Sequence, residues 1–105
     1  MAVSSTEVPQ GMASILAEIV AERARQDRRW GPQSHPGPVW SAILTEEVGE
    51  VAEAALRAYW DADGDLAHLR AELIQVAAVA VHMVERIDAG DHAPATGTLD
   101  AHGRP

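Results

Sequence analysis

Apolar residues recur at helical spacing along three segments of the chain, and polar or proline-rich stretches separate these segments. In the first segment, residues 12–29, Met12, Ile15 and Ile19 follow one another at intervals of three and four residues. That spacing places them on one face of an α-helix. The pattern predicts an amphipathic helix, and Trp30 would continue its apolar face.

A glycine- and proline-rich stretch, GPQSHPGP at residues 31–38, follows the first segment. Such a stretch predicts a loop, because proline and glycine both interrupt an α-helix. The second helical segment, residues 39–60, ends at DADGD. There we expect Gly64 to adopt a left-handed turn, since it lacks a Cβ. Asp65 would cap the next helix, since its carboxylate accepts from backbone N–H groups.

The third segment, residues 66–88, is apolar almost all round between Leu73 and Val84. A helix of that kind is typical of the middle of a helical bundle. The two connections, of about eight and about five residues, are typical of helices that pack side by side. The chain is therefore predicted to be all-α, a helical bundle of three main helices. We expect oligomerisation to complete the bundle, because so short a chain buries little surface.

The two ends of the chain differ from the helical segments in composition. Residues 1–10 are rich in Ser and Thr, and residues 90–105 are rich in Gly, Pro, Thr and Ala. Neither end has enough apolar residues to pack into a core. We expect a flexible N-terminal lead at residues 1–10, one helical domain at residues 11–89 and a flexible C-terminal tail at residues 90–105.

The charge of the chain limits its partners. The 105 residues include 16 acids and 8 basic residues, all arginine, and the net charge is −8. This field repels phosphate backbones and anionic lipids, so we expect neither a nucleic-acid polymer nor a membrane as partner. One small phosphorylated molecule is compatible with the charge if metal ions neutralise the carboxylates locally.

The chain has no cysteine, so oxygen or imidazole would hold any metal ion, which favours Mg²⁺ or Mn²⁺. The first residues, MAVSSTEVPQGMAS, lack the basic start and apolar run of a signal peptide. We therefore expect a cytoplasmic protein.

Four glutamates fall close together in the second helix, in TEEVGEVAEA at residues 45–54. At about 100° per residue they share one arc of a helical wheel, as a solvent-facing side would. Glu47, however, lies at the edge of the apolar face, where its neighbours around the wheel are Ile43, Ala54 and Val51. Glu50 follows one turn later. The pair either faces water or, if desolvated, requires a cation between the two carboxylates.

Glu72 raises the same question on the third helix. Its neighbours around the wheel include Val76 and Met83, while Gln75 and His82 belong to a polar strip on one side. A carboxylate on an otherwise buried helix needs a partner. The sequence leaves two partners open: an arginine in a salt bridge, or a metal ion shared with the acids of the second helix.

These acids carry a family resemblance. EEVGE at residues 46–50 and AELIQ at residues 71–75 resemble the EExxE and ExxD elements of the all-α MazG-type nucleotide pyrophosphohydrolases. RQDRRWG at residues 25–31 is similar to the leading helix of the short, phage-associated members of that family. The resemblance covers residues 14–88. It implies a Mg²⁺-dependent cleavage, with Mn²⁺ as an alternative ion, of a nucleoside triphosphate to the monophosphate and pyrophosphate.

The resemblance also implies roles for the acids. Glu47, Glu50 and Glu72 would be the principal metal ligands and part of the catalytic group. Glu46 would complete that group as a further ligand or as the base that activates water. Gln75 stands where the family motif has Asp; its neutral amide oxygen would bind a metal more weakly or position a water. One metal ion would then be lost or held through water.

Four further side chains are candidates for substrate contact. Arg23, Gln26 and Trp30 lie near the apolar stripe of the first helix, close to where a substrate would approach. Trp30 either stacks on the base or belongs to the core. Arg70 either contacts phosphate or pairs with a nearby acid on the surface. We expect His82, on the polar strip, to be a hydrogen-bonded histidine of the bundle.

A second class of function fits the same sequence. A non-catalytic helical oligomer of this fold, binding nucleotide or a protein partner, would share these features, and Gln75 in place of Asp is its main support. In both cases we expect a homodimer or a dimer of dimers, because three helices leave one side of the third helix open. The sequence gives no preference for a base or a sugar.

Overall fold

The computed structural model describes residues 7–91. Within that part, the elements are three α-helices and no strands: α1 (Gln10–Trp30), α2 (Gly37–Trp60) and α3 (Leu66–Ala89). The all-α, three-helix prediction is confirmed. Residues 1–6 and 92–105, which include most of the predicted lead and tail, lie outside the described residues.

The ends of the helices follow local chemistry. Helix α2 begins at Gly37, two residues before the predicted start. Pro38 is accommodated because the first turn of a helix needs no N–H donor. Asp65 caps α3 as predicted, with its Oδ1 accepting from the Ala67 N–H at 2.9 Å. Helix α3 ends at Ala89 and is followed by Gly90, whose φ of 79° is left-handed.

The expectation of a left-handed Gly64 is wrong. Among the described residues, positive φ angles occur only at Gly31 and Gly90. Gly64 instead lies close to the last turn of α2, where a Cβ would fall 2.7 Å from the carbonyl oxygen of Ala58. Glycine is required there because any side chain would collide with backbone, not because of its own dihedral angles.

Helix α3 is the central element. It packs against both α1 and α2, whereas these two helices do not pack against each other within the described part of the chain. The prediction that the third helix lies in the middle of the bundle therefore holds. As a consequence, one side of α3 is accessible between α1 and α2.

The buried interior of one chain is small and partly polar. Its buried apolar residues are Trp40, Ala54, Ala78 and Val79, and no large side chain among the described residues is fully buried. Many apolar side chains are exposed, including several on α3. By length and composition α3 could also cross a bilayer, a test that the core helix of a soluble protein passes as well.

Ion pairs join α1 to α3. The Arg23 guanidinium donates two hydrogen bonds to Glu85, at 2.7 and 3.1 Å, and a third to Asp27. Arg70 on α3 donates two hydrogen bonds to Glu18 on α1, at 2.7 and 2.5 Å. The acids along this interface are therefore paired with arginines.

Candidate metal centre and adjoining cavity

Three carboxylates converge where α2 packs against α3. Glu47 and Glu50 lie one turn apart on α2, and Glu72 reaches them from α3. One carboxylate oxygen of each lies within 4.8 Å of those of the other two. The structure therefore brings together the three residues predicted as principal metal ligands.

Two of these carboxylates are shielded from water without a compensating hydrogen bond. Glu72 is only 9% exposed, and Oε2 of both Glu72 and Glu47 is buried and has no hydrogen-bond partner. Burial, followed by the neighbouring charges of Glu50 and Glu72, raises the pKa of Glu47. A buried carboxylate oxygen without a partner is costly, so a proton or a cation would stabilise this group.

The sequence left open whether an arginine neutralises Glu72. Within residues 7–91, no arginine forms an ion pair with it. Its nearest cationic candidate is His68, whose Nε2 lies 3.8 Å from Oε1 and whose side chain is half-exposed. A single exposed imidazole at that distance is a weak partner for a buried carboxylate. Among the arginines of residues 7–91, therefore, none is the partner of Glu72, and the cation shared with the second helix stays a prediction.

The donor set suits a hard divalent ion. All three groups offer carboxylate oxygens, which Mg²⁺ and Mn²⁺ prefer. The two unpartnered oxygens, Glu47 Oε2 and Glu72 Oε2, come from different helices, so an ion between them would also join α2 to α3. Three carboxylate ligands would leave other coordination positions for water or phosphate.

The remaining two residues of the predicted motif, Glu46 and Gln75, lie at the edge of this group. Glu46 is exposed on α2 and is not one of the three converging carboxylates, although its charge contributes to the raised pKa of Glu47. Gln75 is half-buried on α3 and, with Glu47, lines a neighbouring cavity. The roles of both residues in catalysis and metal binding stay predictions.

A cavity of about 360 Å³ adjoins the carboxylates. It lies in the space between α1 and α2, with α3 behind it, and its size falls within the ~300–1,000 Å³ of small-molecule sites. Its walls combine rings, amides and apolar groups with few charges. They comprise Arg25, Gln26, Trp30, Gln33, His35, Trp40, Ile43, Glu47, Gln75, Val79 and His82.

Three rings form one wall of the cavity. The Trp40 indole lies edge-on to His35 at 5.0 Å and to His82 at 4.7 Å, measured between ring centroids. Burial lowers the pKa of His82, and the Arg23 guanidinium lowers it further. The His82 imidazole is therefore neutral at pH 7 and adds no charge to this aromatic wall.

Gln26 presents an amide with a defined orientation. It is 5% exposed, and its Nε2 donates to Glu22 Oε2 at 3.3 Å. Glu22 also accepts two hydrogen bonds from Arg25, which lower its pKa. Because an ionised carboxylate only accepts, the amide nitrogen must face Glu22. The carbonyl oxygen of Gln26 is then the acceptor left for a ligand.

The four predicted substrate contacts separate into two pairs. Gln26 and Trp30 line the cavity. Trp30 is 53% exposed, with the Arg29 guanidinium 4.9 Å from its ring centroid, so within this chain it is not a core residue. Arg23 and Arg70 do not line the cavity and are engaged in the α1–α3 ion pairs. Their assignment to substrate binding stays a prediction.

Sequence reasoning missed Trp40 and Arg25 as cavity residues and placed His82 only in the bundle. Trp40 had a usable signal. It precedes Glu47 by seven residues, about two helical turns, and so lies on the same face of α2. Arg25 had none, because its place on the wall depends on how α1 packs against α3.

Comparison of the chain with protein-family models, curated proteins and solved structures gave no significant match.

Proposed function

We propose that this protein is a divalent-metal-dependent nucleoside triphosphate pyrophosphohydrolase. The observation that carries the proposal is the convergence of Glu47, Glu50 and Glu72, two of them with buried, unpartnered oxygens, beside a cavity lined by rings and amides. The resemblance of EEVGE and AELIQ to the MazG-type motifs supports the same activity. Neither a lone acidic surface nor a lone cavity would support it.

Glu47, Glu50 and Glu72 would hold the metal ion, with Gln75 as a neutral oxygen donor or a water-positioning group. When bound, Mg²⁺ neutralises charge on phosphate oxygens and makes a bound water more acidic. In the proposed reaction a water oxygen bonds to the α-phosphorus while the bond from that phosphorus to the β-bridging oxygen breaks. The nucleoside monophosphate and pyrophosphate leave, and the proton of the water is taken up by a nearby base. Glu46 is the proposed base.

The cavity supports a nucleoside as the organic part of the substrate. Trp40 and Trp30 offer flat surfaces that can stack on a base, and the neutral His82 adds no charge to this wall. The carbonyl oxygen of Gln26 would accept a hydrogen bond from an N–H on the edge of the base. The base would then lie on the ring wall while the phosphates extend toward Glu47.

Arg25 supports a phosphorylated substrate. It is the arginine that lines the cavity together with Glu47 and Gln75. In the structure its guanidinium is held by Glu22, with Nε and Nη2 at 2.9 and 2.5 Å from the two carboxylate oxygens. A phosphate would compete for the same fork of donors. We propose that Arg25 contacts the phosphates in place of Arg23 and Arg70, which do not line the cavity.

A panel of the common ribo- and deoxyribonucleoside triphosphates with Mg²⁺ tests the proposal. The expected products are pyrophosphate and a nucleoside monophosphate, with no turnover in EDTA. Orthophosphate and a diphosphate would show that a different bond is cleaved. Nucleotide binding without turnover in Mg²⁺ or Mn²⁺ would favour the non-catalytic oligomer.

A further inference from the structure

A second cavity adjoins the three carboxylates of the candidate metal centre. Its volume is about 310 Å³, and its walls come from α2 and α3. Its lining residues are polar except for one alanine, and comprise Glu50, Glu53, Ala54, Arg57, His68 and Glu72. We call this space the polar cavity, and we call the space beside Trp40 and His82 the ring cavity.

The two cavities follow one another along the groove between α2 and α3. The helices run in opposite directions, because Trp40 near the start of α2 lies against His82 near the end of α3. At the other end of the groove, Arg57 near the end of α2 lines the polar cavity together with His68 near the start of α3. The ring cavity therefore lies at one end of the groove and the polar cavity further along it.

The three carboxylates of the metal centre lie between the two cavities. Glu47 belongs to the wall of the ring cavity, whereas Glu50 and Glu72 belong to the wall of the polar cavity. Glu72 is 9% exposed, and its Oε2 is buried without a hydrogen-bond partner. A cation shared by the three acids would therefore be accessible from both cavities. A ligand that fits this groove has a ring at one end, a charged group at the other, and metal-binding oxygens between them.

Arg57 gives the polar cavity a donor for phosphate. Its side chain is 62% exposed, and within residues 7–91 its guanidinium makes one side-chain hydrogen bond, from Nη2 to Glu53 at 2.6 Å. Exposed ion pairs one turn apart on a helix contribute little stability, so a phosphate can displace this contact. The fork of guanidinium N–H groups then matches two phosphate oxygens.

His68 is a second donor, on the α3 wall of the polar cavity. Its side chain is 54% exposed, and its Nε2 lies 3.8 Å from Glu72 Oε1, a distance too long for a hydrogen bond. The imidazole therefore still has an N–H to donate. His68 precedes Glu72 by one turn, so a ligand bound to it lies about 6 Å along the helix axis from the carboxylates.

From this arrangement we infer that the polar cavity binds the β- and γ-phosphates of a nucleoside triphosphate, with Arg57 as their principal contact and His68 as the second. The assignment rests on the proposed function and extends it. The nucleoside would occupy the ring cavity, and the α-phosphorus would lie at the three carboxylates. Arg25, which lines the ring cavity, would then contact the α-phosphate.

The two products of the reaction would separate into the two cavities. As the water oxygen bonds to the α-phosphorus, the β-bridging oxygen leaves with the electron pair of the broken bond. That oxygen belongs to pyrophosphate, which Arg57 and His68 hold, while the monophosphate stays in the ring cavity. Both donors are exposed, and the lining residues of the polar cavity come from two helices. Pyrophosphate therefore has a direct path to solvent.

The acids of the polar cavity make this binding depend on a divalent ion. Three glutamates line the cavity beside the two donors, so a bare pyrophosphate would be repelled. Its complex with Mg²⁺ carries less negative charge and brings the ion to the carboxylate oxygens. We therefore expect pyrophosphate to bind in Mg²⁺ and not in EDTA.

Isothermal titration calorimetry of the full chain with inorganic pyrophosphate in Mg²⁺ tests the site without turnover. Arg57→Gln should weaken pyrophosphate binding about 10-fold, the loss expected for one charge-assisted hydrogen bond in an exposed position. His68→Ala should weaken it about 3-fold, because the imidazole N–H makes a weaker hydrogen bond. The Kd values of the common nucleoside monophosphates should not change in either variant, because these ligands occupy the ring cavity.

Arg28→Gln is the matched control. Arg28 is exposed on α1 and lines a different cavity, between α1 and α3, so its variant should keep the wild-type Kd for pyrophosphate. The rise in Tm on adding Mg²⁺ alone should be at least as large in Arg57→Gln as in the wild type, because Arg57 is not one of the converging acids. A smaller rise would show that Arg57 acts through the metal centre and would contradict the assignment.

Failure of this site and failure of the proposed function give different results. An equal pyrophosphate Kd in Arg57→Gln and the wild type, with turnover of a triphosphate, would overturn the site and leave the hydrolase. Mg²⁺-dependent pyrophosphate binding that needs Arg57, without turnover of any triphosphate, would support the site and overturn the hydrolase. Equal weakening of monophosphate and pyrophosphate binding by Arg57→Gln would mean that the α-phosphate occupies the polar cavity, contrary to the assignment. Absence of pyrophosphate binding by the wild type in Mg²⁺ would also overturn the site.

Discussion

Between α1 and α3 the carboxylates of Glu18 and Glu85 each accept two hydrogen bonds from an arginine. Between α2 and α3 the carboxylates of Glu47 and Glu72 face each other, and no arginine of the described residues pairs with either. At the first interface each of these carboxylates lies against a guanidinium of opposite charge. The second concentrates like charges and removes two of their oxygens from water. The same helix, α3, contributes to both.

The contrast shows that arginines pair with acids between α1 and α3, and that among the described residues they do not do so where Glu47 and Glu72 meet between α2 and α3. With 8 arginines for 16 acids, not every acid can be paired, but unpaired acids are normally left in solvent. Here a nearly buried one, Glu72, points toward two others. Repulsion at that site costs stability, so a neutralising cation supplied from solution is the physical explanation we favour. The predictions below test the contrast, from the largest expected effect to the smallest.

The largest effect should be on turnover. Glu50→Gln keeps the shape of the side chain and removes its charge, so it should reduce triphosphate cleavage by more than the ~10–100-fold that loss of an outer-shell partner costs. Steady-state release of pyrophosphate measures this. Glu53→Gln is the matched control, because Glu53 lies one turn further on α2 and is exposed and paired with Arg57. Equal activity losses in the two variants would remove Glu50 from the site.

The next effect is on the difference in Tm between Glu47→Gln and the wild type. The variant should be the more stable protein in EDTA and the less stable one in Mg²⁺. In EDTA, Glu47→Gln should raise the Tm, because it removes a charge that Glu50 and Glu72 repel. With Mg²⁺ at 100 times its Kd the wild type should gain about 2.7 kcal/mol, or roughly 10–20 °C in Tm, and the variant much less. Thermal unfolding with and without Mg²⁺ measures both. Equal Mg²⁺ gains in variant and wild type would contradict a metal site at Glu47.

Breaking the paired interface should give a smaller effect that metal does not change. Arg23→Met keeps most of the buried stem and leaves Glu85 and Asp27 without their donor. It should cost about 1 kcal/mol, since charge-assisted hydrogen bonds stabilise by ~1.5–3 kcal/mol and the exposure of both acids reduces this. Urea unfolding measures the cost. The Mg²⁺ gain should equal that of the wild type, and a reduced gain would mean that the two interfaces are coupled.

The smallest effect concerns His82. Its pKa is lowered in the folded state, so in a pH window below 6.5 the unfolded chain binds a proton that the folded chain does not. Stability therefore falls as the pH falls through this window. His82→Gln should lose less stability than the wild type over the same range, measured by urea unfolding in EDTA. Parallel pH dependences for the two proteins would contradict a neutral, buried His82.

In this pH window the other charged groups around His82 contribute little to the change in stability. Arg23 and Arg86 lower the pKa of His82, while Asp27 and Glu85 oppose them. The pKa values of Asp27 and Glu85 are lowered, so their stabilising pairs are lost only below about pH 4.5. Comparing the variant with the wild type at each pH cancels the remaining carboxylates, including Glu47.

The helices could be predicted because their signals are local. Spacing of apolar residues placed α1 and α3 within one or two residues of their observed bounds. The start of α2 was placed two residues late, at Val39 instead of Gly37, because the pattern begins at the first apolar side chain and glycine and proline usually indicate a loop. The reason predicted for a glycine at position 64 was wrong. The path of the chain after α2 brings position 64 close to the carbonyl oxygen of Ala58, and a Cβ would collide with it.

The carboxylates could be predicted only as candidates. Helical spacing put Glu47 and Glu50 on one edge of α2, and the apolar surroundings of Glu72 marked it as unusual. Whether an arginine paired with Glu72 could not be read from the chain, because every arginine could in principle reach it. The cavity wall formed by Trp40, His35 and His82 depends on the relative placement of α2, α3 and the loop before α2.

The sequence by itself determined three helices, a central apolar one, and a set of acids at helical spacing on α2. These follow from contacts within one or two helical turns, which residue order fixes directly. The tertiary structure decided which charges are paired. Arg23 and Arg70 meet acids 62 and 52 positions away in the chain, and the same packing brings no arginine of residues 7–91 to Glu72. Pairing across helices depends on distances in space, and residue order does not specify those distances.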